Sequence, residues 1–305
     1  MIGTQAAADL TANAASRGPA GTERERRSWR SWRARPAMLA AGFFVLMFCV
    51  MAAVPQLFAG WFGHGDPRAC NLTHSGLGPA SGHPFGYDIQ GCDLYSNVVY
   101  GARNSISIGF LVTASCLLVS LVLGSLAGYF GGRVDALISR LMDVFFGFPS
   151  LVAMIVLLDA LNNHTVLTVA LVLSLFSWPV LTRVMRSSAL SVRRRDYITA
   201  ERGLGATHLR ILVRHVAPNA VGPVLALTGF TVAGVISSEA ALTYLGVGLT
   251  SPSISWGVQL NASQQYFTDH LNLLIFPAAF LSATVLSFVV FSDRVRDALD
   301  PAGQS

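Results

Sequence analysis

Long apolar runs with few charges constrain this chain more than any other feature. Six segments are long and apolar enough to cross a hydrocarbon core, which takes about 20 residues: roughly 36–58, 105–130, 134–161, 165–187, 219–245 and 271–291. Only 12% of the 305 residues are charged, about half the ~25% of a soluble domain. The expected fold is an all-α integral membrane protein of six transmembrane helices. The third segment is the least regular, with Arg140 and Asp143 in its first half and Pro149 interrupting it. The three-residue spacing of Arg140 and Asp143 lets them share a helix face and pair.

Arginine placement sets the orientation. Seven arginines precede the first span (Arg17 to Arg35), Arg133 lies between the second and third, and Arg294 and Arg296 follow the sixth. A further group, Arg183 to Arg214, surrounds the loop between the fourth and fifth. Six crossings put all of these on one face and leave Arg68 and Arg103 on the other. Basic residues favour the cytoplasmic side, so both termini are expected there. The expected organisation is a basic cytoplasmic tail over 1–35, disordered in its first twenty or so residues, and an uncleaved first span over 36–58. An extracytoplasmic loop over 59–104 comes next, then a five-helix core over 105–293 with a cytoplasmic loop over 188–218, and a C-terminal tail over 294–305.

All 21 basic residues are arginine. A P-loop needs a lysine to reach nucleotide phosphates, so this chain has no such ATPase site, and lysine Schiff-base chemistry is excluded as well. Four cysteines show no metal-ligand spacing. Cys49 and Cys116 fall inside apolar runs, where a thiol packs as a small hydrophobe. No metal, catalytic residue or nucleic-acid partner is expected.

The loop DYITAERGLGATHLRILVRHVAPN (196–219) reads as a helical hairpin. Tyr197, Ala200, Glu201 and Leu204 follow helical spacing. Gly203 and Gly205 end that helix, with Gly205 as a left-handed cap. Thr207 caps a second helix, in which Leu209, Leu212, Val213 and Val216 make an apolar stripe, and Pro218 closes it. Two-turn helices are unstable alone in water and need a surface to lie on. The small residues Ala200, Gly203, Gly205 and Ala206 admit a close partner backbone. A basic loop resting on anionic headgroups is the competing reading.

These residues resemble the signature loop of ABC-importer permeases: Glu-Ala-Ala, three residues, Gly, nine residues, then Ile-x-Leu-Pro. Here it reads Thr199-Ala200-Glu201, then Gly205, then His215 to Pro218. Thr199 stands where the family usually has an acid, and Glu201 where it has alanine. The fuller string, including Arg202 and ending in Arg-His-x-x-Pro-Asn, is similar to the dipeptide and oligopeptide branch. HPFGYDIQGCD (83–93), EAALTYLGVG (239–248) with SPSISWG (251–257), and DRVRDALDP (293–301) resemble further family segments in order.

The resemblance implies a type I importer permease, one subunit of an ATP-driven peptide importer. Tyr197, Ala200, Glu201, Arg202, Leu204, Gly205, Ala206 and Pro218 would couple it to an ATPase subunit. Its implied partners are a homologous second permease, two ATPase subunits carrying ATP and Mg²⁺, an extracytoplasmic peptide-binding protein and the lipid bilayer of a bacterial inner membrane. No cofactor is expected on this chain. A nickel chelate is an alternative solute, and a self-contained secondary transporter is the rival class, disfavoured by the scarcity of ionisable groups in the spans. A membrane-embedded enzyme is disfavoured because His164 and His215 lack clustered partners.

Cys92 replaces the family's usual arginine and shares its loop with Cys70. An oxidising compartment would favour a bridge between them, with two free thiols as the alternative. Glu239, late in the fifth span, reads either as a gate or support for the following loop, with Trp256, or as an interfacial acid reaching water. Gly124 and Gly128 form a small-xxx-small pattern that either permits close helix approach or, with Gly131 and Gly132, marks a helix end. Pro179 is expected to bend the fourth span, and the loop over 246–270 to contain a short helix.

Overall fold

The computed structural model describes residues 20–299 except 63, 64 and 267, with no side-chain description for 20–35, 37, 298 and 299. Residues 1–19 of the proposed tail over 1–35, and the last residues of the C-terminal motif, lie outside the described residues. In lipid every backbone N–H and C=O needs an internal partner, so the apolar runs fold as helices. In order they are α1 (Ala20–Ala53), α2 (Pro55–Ala59), α3 (Leu94–Val119), α4 (Ser125–Phe130), α5 (Gly132–Gly147), α6 (Ser150–Leu161) and α7 (Val166–Arg193). Beyond these come α8 (Asp196–Gly203), α9 (His208–Ile211), α10 (Ala217–Ala220), α11 (Gly222–Tyr244), α12 (Trp256–Ser263) and α13 (Asn272–Leu299).

Four helical stretches are long and apolar enough to cross a membrane: Leu94–Phe130, Val166–Arg193, Gly222–Tyr244 and Asn272–Asp297. The first joins α3 to α4 through a π-turn at Ser120–Gly124. Its 37 residues rise about 55 Å, well beyond a ~30 Å hydrocarbon core.

The other two expected spans differ from their sequence outlines. Within α1 the apolar part is Met38–Ala53, and the helix stops at Val54 before Pro55 opens α2. The third span is not one helix. α5 and α6 bend by 83° at Phe148-Pro149, where Pro149 takes an extended conformation ahead of α6. Proline disfavours the helical region in the residue before it, which ends α5. At about 24 and 18 Å, neither half alone matches the core thickness. Nor does Asp143 pair with Arg140; it lies 3.6 Å from Arg183 of α7, whose guanidinium covers Phe146.

Two apolar clusters hold the helices together. One joins Ile108 and Val112 of α3, Leu158 of α6, and Leu173, Leu181 and Met185 of α7. The other joins Phe48 of α1, Val98 and Ile106 of α3, Ile236 of α11, Trp256 of α12 and Phe288 of α13. Between α4 and α7 the backbones approach closely. A Cβ on Gly124 would lie 2.6 Å from Met185 Cβ, and one on Gly128 would lie 2.5 Å from Arg186 O. Gly131 and Gly132 form the turn after α4, both at positive φ. α7 continues through Pro179, beside which Thr182 Oγ1 donates to Trp178 O at 2.9 Å.

Candidate functional site

Two regions at opposite ends of the helices carry the candidate residues. The first is the hairpin after α7. α8 starts after Arg195 and ends at Leu204. Gly205 then takes φ +80°, a conformation that glycine adopts without the Cβ penalty. Thr207 caps α9, its Oγ1 accepting from Arg210 N.

The second helix departs from the expected pattern. After four residues α9 passes into a π-turn at Leu212–Val216 and then α10. A π-turn adds one residue to the repeat and rotates the residues beyond it. The predicted stripe therefore splits: Leu212 and Val216 are buried with Ile211, while Leu209 and Val213 are exposed. Ile198, Ile211, Leu212 and Val216 join the apolar cluster of α7 and fix the base of the hairpin.

Away from that base the surface is open. Tyr197, Ala200, Arg202, Gly203, Gly205 and Pro218 are exposed, and Leu204 is 84% exposed. A Cβ on Gly203 or Gly205 would meet nothing within 4 Å. Glu201 and Ala206 are half-buried, with Glu201 Oε1 3.7 Å from His215 Nε2. Sequence reasoning missed the brace beneath this surface. Tyr129 of α4 is buried, its hydroxyl lies 2.9 Å from His208 Nδ1, and the Arg202 guanidinium lies 5.4 Å from its ring centre. A tyrosine closing an apolar span next to a glycine pair was the available signal.

The second region lies at the other end. A disulfide joins Cys70 to Cys92, and Asn71 N donates to Gly91 O beside it. Asp88 Oδ1 accepts from Gln90 N and Cys92 N. Burial pushes its carboxyl above the usual range, against the lowering effect of those amides. Asp93 caps α3 by accepting from Ser96 N, and its other oxygen lies 2.7 Å from His83 Nδ1.

Glu239 is wholly buried here rather than interfacial. Its carboxylate accepts from Thr243 Oγ1 at 3.0 Å, and from Ser105 Oγ and Ser255 Oγ at 3.2 Å each. Each hydroxyl accepts in turn: Thr243 from Leu249 N, Ser105 from Trp256 N, and Ser255, the cap of α12, from Val258 N. The fully buried Trp256 donates its Nε1–H to Val98 O at 2.9 Å. One carboxylate thereby ties α3, α11 and the segment leading into α12. That segment and the disulfide loop enclose a cavity of about 700 Å³, lined in part by Asp88, Gln90, Asn97 and Gln264.

The sequence profile of the family described as binding-protein-dependent transport system inner membrane component matches residues 120–303. An oligopeptide transport system permease protein, OppC of Bacillus subtilis (strain 168), is 34% identical over 256 residues, 84% of each chain. A dipeptide transport system permease protein, DppC of the same organism, is 33% identical over 275 residues, covering 90% of this chain and 84% of that one. Among solved structures, an inward-facing form of the MetNI methionine ABC transporter is similar with a TM-score of 0.54 and 18% identity, covering 67% of this chain and 96% of that chain.

Proposed function

The chain belongs to the family of binding-protein-dependent transport inner membrane components, and on that premise we propose that it is a permease subunit of an ATP-driven peptide importer. It is a multi-pass membrane protein with the helical fold of ABC importer permeases. In this reading it forms half of a solute path in a bacterial inner membrane, a second permease forms the other half, and neither makes nor breaks a bond. Two ATPase subunits bind and hydrolyse ATP with Mg²⁺, and an external binding protein delivers the peptide.

The observation that carries the reading is the hairpin. Its base is locked into the core by Ile198, Ile211 and Val216, while Leu204 and the two glycines stand clear of the rest of the chain and Tyr197 is part-covered beside them. A rigidly anchored knob with an open, small-residue tip suits a groove on another protein. Arg194, Arg195, Arg202, Arg210 and Arg214 are exposed around it, which supports a cytoplasmic location. Closure of the ATPases would move this knob as a lever and switch the helices between outward-facing and inward-facing arrangements.

The test is Gly205→Val. A β-branched residue at positive φ is a strong backbone outlier, so the tip must refold. The variant is expected to insert normally but to lose ATP-coupled peptide uptake in vesicles by at least about tenfold, and to lose co-purification of the ATPase. Uptake at the wild-type rate would remove the docking role.

A further inference from the structure

The disulfide end carries little positive charge. The segments 59–104 and 246–270 contain Arg68 and Arg103 and no other arginine. They come from different elements, the loop before the disulfide and α3, yet both line one groove of about 310 Å³ with Tyr100, Asn104, Val166 and Ile254. Among the described residues neither guanidinium has a carboxylate partner. The nearby Asp66 carboxylate accepts from the backbone N–H of Arg68 instead. The groove wall is held in place, with Asn104 Nδ2 donating to Ile254 O at 2.8 Å.

Two unpaired guanidinium groups on one concave surface favour an anion. The planar fork of arginine matches a carboxylate in particular. The groove is also not isolated. Arg68, Pro252, Ser253 and Ile254 line both it and the 700 Å³ cavity. A molecule with its carboxylate in the groove would extend over Pro252–Ile254 into a space bordered by Asn97, Gln264 and Asp88. Side-chain amides there suit peptide N–H and C=O groups, and Asp88 supplies the sign that an ammonium needs. The cavity lies within the usual range of small-solute sites, about 300–1,000 Å³.

We propose that Arg68 and Arg103 form a carboxylate-recognition site that holds the C-terminal carboxylate of a peptide at the mouth of the cavity. This inference rests on the import reading above and adds the charge pattern of the solute. It assigns the chain a first contact with its cargo outside the helical core.

The experiment uses the full complex in nanodiscs without its binding protein, and measures binding of trialanine and of trialanine amide. Wild type is expected to hold the acid about tenfold more tightly, the scale of one hydrogen bond to a charged group. Arg68→Gln with Arg103→Gln should remove that preference, and Arg68→Lys with Arg103→Lys should retain part of it. Both positions are exposed, and formation of the Cys70–Cys92 bridge reports that the loop has folded. Equal or undetectable binding of acid and amide by wild type, or a preference that survives the double glutamine variant, overturns the proposal. ATP-driven trialanine uptake by the wild-type complex with its binding protein is scored separately, in proteoliposomes. Its absence defeats the import reading, whereas uptake without acid-over-amide preference defeats this site alone.

Discussion

Glu239 concentrates more of the structure than any other single residue. Three hydroxyls from three segments donate to one buried carboxylate, so its removal leaves each without its acceptor. Truncation in Glu239→Ala is expected to cost about 2–4 kcal/mol, from unsatisfied buried polar groups and a void. Glu239→Gln keeps the shape and one acceptor oxygen, and hydroxyls can rotate to accept from the amide; it should retain most of the stability. Thermal unfolding in detergent measures both, and equal midpoints for the alanine variant and wild type would show that the network is idle. From the sequence alone this carboxylate could equally be interfacial, because a charge near the end of an apolar span can reach water. Its partners settle the matter, and Ser105 lies 134 positions away. The left-handed Gly205 and the Thr207 cap were legible, since both depend on a few neighbouring residues.

At the scale of elements, the joint between α4 and α7 decides how the hairpin is held. Tyr129 comes directly after Gly128, and it reaches His208 and Arg202. A leucine at position 128 would drive its Cβ into Arg186 O and Ala189 Cβ, both of α7. Overpacking of this kind costs about 1–3 kcal/mol or forces the backbones apart. Gly128→Leu should therefore loosen the hairpin and speed tryptic cleavage at Arg194, Arg195 and Arg202 in inside-out vesicles by severalfold. Unchanged cleavage together with unchanged uptake would sever the hairpin from this joint. The close approach was visible as small-xxx-small spacing and the break in the third span as Pro149, whereas the split apolar stripe was not. A π-turn leaves no periodic trace over five residues, so Val213 reads as core when it faces outward. The pairing of Asp143 with Arg183 rather than Arg140 depends on α5 lying beside α7, which spacing along one helix does not encode.

At the scale of the whole molecule, the same helices serve both ends. α3 carries Ser105 at the Glu239 network and continues through α4 to Tyr129 beneath the hairpin; α11 starts just after the hairpin and ends beside the cavity. A change in the tilt of α3 against α11 is thereby felt at both surfaces, as the proposed alternation between outward-facing and inward-facing arrangements requires. Yet the most apolar windows of the four long helices are only 22–44% buried within the chain. Much of that surface is left for lipid or for another helical subunit, and a solute path lined on one side by this chain needs a second wall. Vesicles holding this chain with its ATPase and binding protein, but without the homologous permease, should take up no peptide above background. Adding the second permease should restore ATP-dependent uptake and raise the thermal midpoint of this chain, because a partner that binds only the folded state stabilises it. Uptake at the full rate by this chain without the other permease would mean that its own helices enclose the path, and the half-pathway reading would be lost.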